Sequence, residues 1–489
     1  MTHRVRRSLA YFLFAFNLIV SVSVLSLKPA GLIYCRYASS LRRRPFGEGT
    51  MRISLNTLLF ALICLVLSAS AAFAQMKMNM VGMENSAGFM SSGTSIEPLT
   101  TSETAAMIHK TWDGWTFMFH ANAEFVSVQQ SGPRGRDKVF SPNWVMPMLG
   151  KSFGRQSIEF RTMLSAEPLT VTKRRYPELF QNGETAYGLP VIDGQHPHDL
   201  VMELAARYEV NIAEKTRLFV YGAPVGEPAL GPTAFPHRAS NSENPLSMLG
   251  HHMEDSTHIS NSVVTVGFIE GPFQLEASTF HGQEPNENRW NFDGGKPDSF
   301  ASRLSFSATK NLSGQFSMGR INNREPLHES EDTVRTTASI HHHATFSGGH
   351  IATSLIWGRN KDIPGDEDPR IFNSYDLEST VKFSSRNWVW GRIENLDRDQ
   401  TLLVGETPAV LDVEETPIGR IQAWTVGYER EIPSPVSFLS LGIGAQYTGY
   451  RTPSIFKPVY GERPSTTVVF LRLRPVANMT DHIKLMHQP

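Results

Sequence analysis

A two-residue alternation recurs along most of this chain and leaves few folds open to it. In SYDLESTVKF, Tyr375, Leu377, Ser379, Val381 and Phe383 fall on one face, and Asp376, Glu378, Thr380 and Lys382 on the other. That period marks a strand with one apolar face. The same split runs through SIEFRT (Ile158 and Phe160 against Glu159 and Arg161), FQLEAS (Phe273, Leu275 and Ala277 against Gln274, Glu276 and Ser278) and FASRLSFSA. Segments of this kind predict sixteen strands, at 114–128, 141–150, 156–165, 200–211, 216–224, 262–270, 273–281, 300–308, 312–320, 333–346, 350–358, 374–384, 387–395, 420–431, 436–449 and 465–474.

The connections alternate as well. KSFGR, IAEK, GPF, KNLSG, SGG, SSRN and PSP are short, whereas those between them are longer, up to residues 225–261. Short turns on one side, long loops on the other and apolar faces turned to lipid describe an outer-membrane barrel. A soluble barrel would instead fill its interior with apolar side chains. The expected fold is an all-β, transmembrane, antiparallel up-and-down barrel of about 16 strands (14–18) in the outer membrane of a Gram-negative-type bacterium. Glu159, Arg161, Glu203, Arg207, Arg303, Asp376, Glu378, Lys382, Arg392 and Glu394 would line its lumen. Trp112, Trp115, Phe117, Phe119, Tyr208, Phe219, Tyr221, Trp388, Trp390, Trp424 and Tyr428 lie near strand ends, as an interfacial girdle would.

The ends fit this picture. MRISLNTLLFALICLVLSASAAFAQ, from Met51, has the basic start, apolar centre and small residues of a secretory signal. Residues 1–50 are then read as an upstream extension, 51–74 as the signal peptide, 75–111 as a Met-rich flexible periplasmic segment, 112–475 as the barrel and 476–489 as a tail. Cys35 and Cys64 both fall in the leaders, which excludes disulfides and thiolate sites from the rest. Removing residues 1–74 takes nine of the 46 basic residues and one of the 47 acidic ones, leaving a net charge near −9. Nucleic acid is therefore excluded as a partner. About 40 residues between Gln75 and the first strand leave no room for a separate plug domain.

Histidine is unevenly placed. DGQHPHD carries His196, His198 and Asp199; the next long loop carries His237, His251, His252, Asp255 and His258; the one after begins at His281. His341 and His343 would face the lumen from IHHHATF. Imidazole with carboxylate suits Cu(II) or Zn(II), while Met76, Met78, Met80 and Met83 offer thioethers of the kind that select Cu(I). The same residues suit a hydrogen-bonded network that folds the loops inward as a plug, and His-Pro-His between aspartates suits a capped turn. The segments GQHPHDLVMELA, FPHRASNSENPLSMLGHHMEDSTHIS and HGQEPNENRWNFD together resemble the signature of a largely uncharacterised family of bacterial envelope proteins whose members often begin Met-rich. That resemblance implies an envelope location and no activity. A second likeness, to copper-resistance outer-membrane barrels, rests on Met/His composition.

Two functions are open at this point. One is a porin-like channel, monomeric or homotrimeric in outer-membrane lipid, passing small solutes or metal ions, with copper or zinc as the metal handled. The other is a barrel-embedded hydrolase resembling the outer-membrane phospholipase, with Asp255, Ser256 and His258 at a rim site. Against the second, no G-x-S-x-G elbow is present.

Overall fold

A computed structural model of the chain describes residues 91–104, 107–172, 175–324, 331–365, 368–403, 418–436 and 438–476. The chain divides into Met1–Asn79 and Met80–Pro489, and every described residue belongs to the second unit. The leader segments, the methionines at 76, 78, 80 and 83, and the tail from residue 477 lie outside the described residues.

The described strands are β1 (Met107–Trp112), β2 (Trp115–Gln130), β3 (Lys138–Phe140), β4 (Asn143–Phe153), β5 (Gln156–Leu164), β6 (Tyr176–Pro177), β7 (Glu184–Ala186), β8 (Leu189–Val191), β9 (Gly194–Gln195), β10 (Val201–Asn211) and β11 (Thr216–Gly226). They continue as β12 (Ser260–Glu270), β13 (Phe273–His281), β14 (Ser299–Thr309), β15 (Leu312–Ile321), β16 (Asp332–Phe346), β17 (Gly349–Ile363), β18 (Arg370–Phe383), β19 (Asn387–Arg398), β20 (Gly419–Ile432), β21 (Leu439–Arg451) and β22 (Ser465–Pro475). β6 pairs β9 and β7 pairs β8, as two small ladders inside one loop. The others form one sheet in which each strand pairs with its successor, antiparallel, until β22 pairs β2 and shuts the ring. β3 and β4 lie end to end along β2, and β1 prolongs the line of β22, so sixteen strands close a barrel.

Closure leaves no unpaired edge, which is the condition for a sheet to cross lipid. The faces agree. Phe125, Phe160, Leu204, Leu218, Val266, Phe316, Leu355, Leu377, Ile393, Val426, Ile443 and Leu471 are exposed on the outside. Arg161, Glu203, Arg303, Asp376, Glu378, Arg392 and Glu394 are buried inside, and Glu159, Arg207 and Lys382 take inward positions of the same alternation. Among the described residues no helix is long and apolar enough to cross a membrane. The strands alone do it.

Two expectations need correction. The barrel begins at Met107 rather than at 112, because Asp113 (φ 47°) and Gly114 (φ 77°) make a two-residue hairpin turn. Both central residues have positive φ, the geometry that suits the twist of paired strands. Nor do residues 91–104 hang as a flexible segment: Ser91, Thr94, Ser95, Glu97, Thr100 and Thr101 are buried. They lie in the lumen, where Arg161 of β5 donates to the carbonyls of Ser91 (3.2 Å) and Gly93 (3.0 Å). Gln274 of β13 donates to the Thr94 carbonyl at 2.7 Å, and Arg303 of β14 to the Thr94 hydroxyl at 3.0 Å. A plug thus needs no separate domain, only a short polar strand of chain.

The girdle reading also divides. Trp112, Tyr208, Trp424 and Tyr428 are exposed, whereas Phe219, Tyr221, Trp388 and Trp390 turn inward and are buried. Several inward rings lie across a glycine in the neighbouring strand: Phe219 opposite Gly267, Trp390 opposite Gly427, Phe470 opposite Gly444. A β-carbon at Gly267 or at Gly427 would come within 2.1 Å of the facing ring. Gly427→Ala is therefore expected to lower stability by about 1–3 kcal/mol through overpacking. Gly222→Ala, where nothing lies within 4 Å of the new methyl, should change it by less than about 0.5 kcal/mol. Denaturant unfolding of the detergent-folded protein checks the pair, and equal midpoints for the two variants would remove the packing argument.

Candidate functional site: a lumen wired to its own loops

The loop between β11 and β12, residues 227–259, enters the barrel. Arg238, Glu243, Ser247, Met248 and Glu254 are fully buried there. Arg238 donates to Glu378 of β18 (2.5 Å), to Asp255 (3.0 Å), to the Thr233 carbonyl (2.8 Å) and to the Met248 sulfur (3.3 Å). A guanidinium has five N–H donors and cannot shed its proton, so its burial is tolerable only when those donors are matched. The wall answers the loop on several sides. Arg392 of β19 donates to the Ser247 carbonyl (2.7 Å), Glu394 accepts from the Leu249 N–H (2.5 Å), and Ser374 of β18 donates to Glu254 (2.6 Å). Arg335 of β16 donates to the His252 carbonyl (2.6 Å), Arg472 of β22 pairs with Glu124 (3.0 Å), Glu243 and Glu429, and Arg474 grips Glu243 with two N–H groups (2.5 and 2.9 Å).

The loop between β5 and β10 packs against the first. Glu184, at the start of β7, accepts from Gln195 (2.6 Å) and from the His196 N–H (3.2 Å) and faces the rings of His196 (3.1 Å) and His252 (2.9 Å). It joins the two loops through one carboxylate. His198 sits on Glu167 with both its backbone N–H (2.9 Å) and Nδ1 (3.0 Å), and Asp199 faces Arg289 at 3.5 Å. His251 holds Asp255 at 2.6 Å. The rings of His198, His251 and His258 then gather around Phe235, with His251 to His258 centroids 5.2 Å apart and His198 to His258 5.6 Å. Histidines from two loops do meet, as the sequence suggested.

Others go elsewhere. His281 bonds Asp298 at 3.0 Å, partly exposed at the rim. His341 and His343 face the lumen, but His341 is bonded to Ser339 (2.7 Å) and Ser354 (2.8 Å), and His343 to Thr100 (2.9 Å) and Thr104 (3.0 Å) of the N-terminal segment. His237 turns to Met163, 3.3 Å from its sulfur. Among the described residues no three His, Cys, Asp or Glu side chains converge as a metal-ligand set. The rim trio does not form a relay either: the His258 ring bonds the Asp255 carbonyl (2.9 Å), and the Ser256 hydroxyl accepts from Arg335 (3.0 Å).

Sequence reasoning missed Arg238, Glu167, Glu184, Glu243 and residues 91–104. Arg472 and Arg474 were within its reach, since Val468, Phe470, Arg472 and Arg474 occupy the inward positions of β22. At the mouth, between the inserted loops and the ends of β16 to β19, a cleft of about 120 Å³ is lined by Glu184, His252, Arg324, Asp362, Arg370 and Asp397 among others.

No family model matches the chain, and none of the curated proteins does. Among solved structures it is similar to OmpT, an outer membrane protein of Vibrio cholerae, at 7% identity over 75% of this chain and 99% of that one, TM-score 0.44. It is similar to an anion-selective porin from Comamonas acidovorans (10%, 74% and 99%, TM-score 0.45) and to Salmonella typhi OmpF in a complex with daunomycin (7%, 75% and 100%, TM-score 0.45).

The loop imidazoles are held in different protonation states. Burial lowers His258 to about 3 and His196 to about 4, and also lowers His251 and His237. Burial works against His198 and His252 too, but the carboxylates of Glu167 and Glu184 outweigh it and raise both. The lowered four bind protons only when the loops open, so the stability they lend is complete above the free value of 6.5 and declines as pH falls from there toward 4. The raised pair acts the other way: its share is complete below 6.5 and declines as pH rises through the folded values. The carboxylates of the same loop oppose the lowered imidazoles: burial pushes Glu227 and Glu254 up to about 8, so their share grows as pH falls below 8. The effect of one imidazole is therefore isolated by its removal: relative to the parent, His258→Gln should gain at least about tenfold in hydrogen-exchange protection of residues 227–259 on going from pH 7 to pH 5. An equal variant-to-parent ratio at the two pH values would contradict the assignment.

Proposed function

We propose that this chain is a porin-type channel of the outer membrane for small polar solutes or ions, closed at rest by residues 227–259 and 91–104. The observation that carries the reading is the bonding of the inward charges of β5, β14, β16, β18, β19 and β22 to those two inserts. A barrel of about 16 strands is wide enough for an aqueous path once its lumen is clear. Charges of both signs on the wall, such as Arg392 beside Glu394 and Arg303 beside Glu276, would favour small polar solutes over lipophilic ones. The cleft at the mouth gives a solute a place to enter from outside, against the loop that must yield.

Opening the path means breaking buried ion pairs, and Arg238, on the inserted loop itself, holds that loop to Glu378 of β18. Removing one partner of a buried pair costs about 3–5 kcal/mol, enough to shift a closed-to-open ratio by a factor of about 100 or more. In planar bilayers the full protein should show rare openings, and Arg238→Ala should raise the open probability at least tenfold. A correctly folded Arg238→Ala barrel that stays silent, alongside a silent parent, would overturn the channel reading.

A further inference from the structure

Much of the inner wall is Ser, Thr, Gln, Glu and Arg, and apart from inward rings such as Phe219, Trp390 and Phe470 one sector is given over to methionine. Met118 of β2, Met146 and Met148 of β4, Met163 of β5 and Met202 of β10 are all buried on the inner side, with Met107 of β1 beside them. The bland account is gap filling, which flexible thioethers do well. It does not account for Met202. In β10 Leu204 faces lipid and Glu203 faces the lumen, so alternation would send Met202 outward. A register shift between Val201 and Glu203 turns it inward instead, placing two consecutive side chains in the lumen. Bulges are a means of re-aiming one side chain.

What Met202 is aimed at is a small enclosed space. It is lined by Met163, Met202, Glu203, Glu227, His237 and His258, with room for about one water-sized particle. His237 is more than nine-tenths buried, and its Nδ1 has no hydrogen-bond partner; the His258 Nε2 has none either. The His237 Nε2 and the Met163 sulfur stand 3.3 Å apart. Bonds of about 2.0 Å to nitrogen and 2.3 Å to sulfur that meet at about 100° span that distance. Trp144 lies beside the His237 ring, centroids 4.8 Å apart, and closes the side toward β4.

We propose that Met163, Met202 and His237 form an internal site for one Cu(I) ion, with His258 as a fourth donor. Thioether and neutral imidazole are soft and borderline ligands, and two sulfurs select Cu(I) over Zn(II). Glu203 and Glu227 on the cavity wall are not its ligands; they remain shared with Tyr221 (2.8 Å) and Arg303 (3.6 Å). The site lies against the inserted loop through His237 and His258. Copper held there would fasten that loop to β5 and β10.

The test uses the full chain in detergent with Ser at Cys35 and Cys64 and Leu at Met76, Met78, Met80, Met83 and Met90, so that the N-terminal thiols and thioethers do not contribute. Under reducing, anaerobic conditions, competition with a chromophoric Cu(I) chelator should show one ion retained per chain. Met163→Leu and Met202→Leu, which keep volume, should each weaken retention at least tenfold, while Met146→Leu, outside the cavity, leaves it unchanged. Circular dichroism and heat-modifiable migration establish that each variant is folded. Retention of no Cu(I) by the parent, equal retention by Met163→Leu and Met202→Leu, or equal competition by Zn(II) would each overturn the assignment. Binding is read without any conductance, so a silent channel leaves this inference standing and a failed titration leaves the channel reading standing.

Discussion

Buried guanidinium groups organise this molecule. Arg161, Arg238, Arg303, Arg335, Arg392 and Arg472 are all within a few per cent of full burial, and each must find acceptors in the lumen. In an empty barrel water would supply them. Here carboxylates and carbonyls of the chain do so, and the inserts take up the shape that satisfies them: the Gly231 and Thr233 carbonyls are bonded to Arg303 and Arg238, and the Ser247 and Leu249 carbonyls to Arg392 and Arg398. The wiring adds specificity more than stability, since a buried pair recovers little beyond its desolvation cost. It fixes one arrangement of loop 227–259 because any other leaves an arginine unmatched.

This inverts the usual division of a protein into an oily inside and a wet outside. The stripe of Phe, Leu, Ile and Val faces outward, where lipid accepts it, and backbone pairing around a closed ring supplies the integrity that a core would give elsewhere. The lumen is packed, yet packed with polar groups. Its apolar content gathers in separate clusters: Phe180, Leu249, Leu402, Phe456 and Tyr460 beneath the outer loops, Trp390 with Phe470, Phe219 with Phe280, and the methionine sector by β2, β4, β5 and β10.

The difference between what the sequence disclosed and what it hid follows from that inversion. Alternation made the sixteen strands and their inward charges legible, and it put His341 and His343 in the lumen. Their partners were not legible. SSGTSIEPLTTSE has no apolar period, so residues 91–104 read as solvated chain; inside a polar lumen the same composition is what packs, with Thr100 and Thr104 against His343. GQHPHDLVMEL was ambiguous for a related reason. Its histidines are explained by Glu167 and Glu184, tens of residues away or across a small ladder, and nothing in a two-residue period reports such pairings. Met202 was hidden by a bulge, which breaks the very rule that made the rest readable.

The seam of the barrel carries a consequence for assembly. Val126 of β2 pairs with Phe470 of β22, and these positions are roughly 340 residues apart, a loop closure that costs about 5 kcal/mol of chain entropy. Every other pairing in the ring joins neighbours in sequence. The sheet can therefore grow as a chain of hairpins, but it becomes a container only when its last strand meets its second. From that moment residues 91–104 and 227–259 can reach or leave the lumen only through the open ends of the ring, for a closed wall offers them no edge to pass. The topology thus makes the two mouths the sole doors of the vessel, and the C-terminal strand is what turns a sheet with sides into a room with doors.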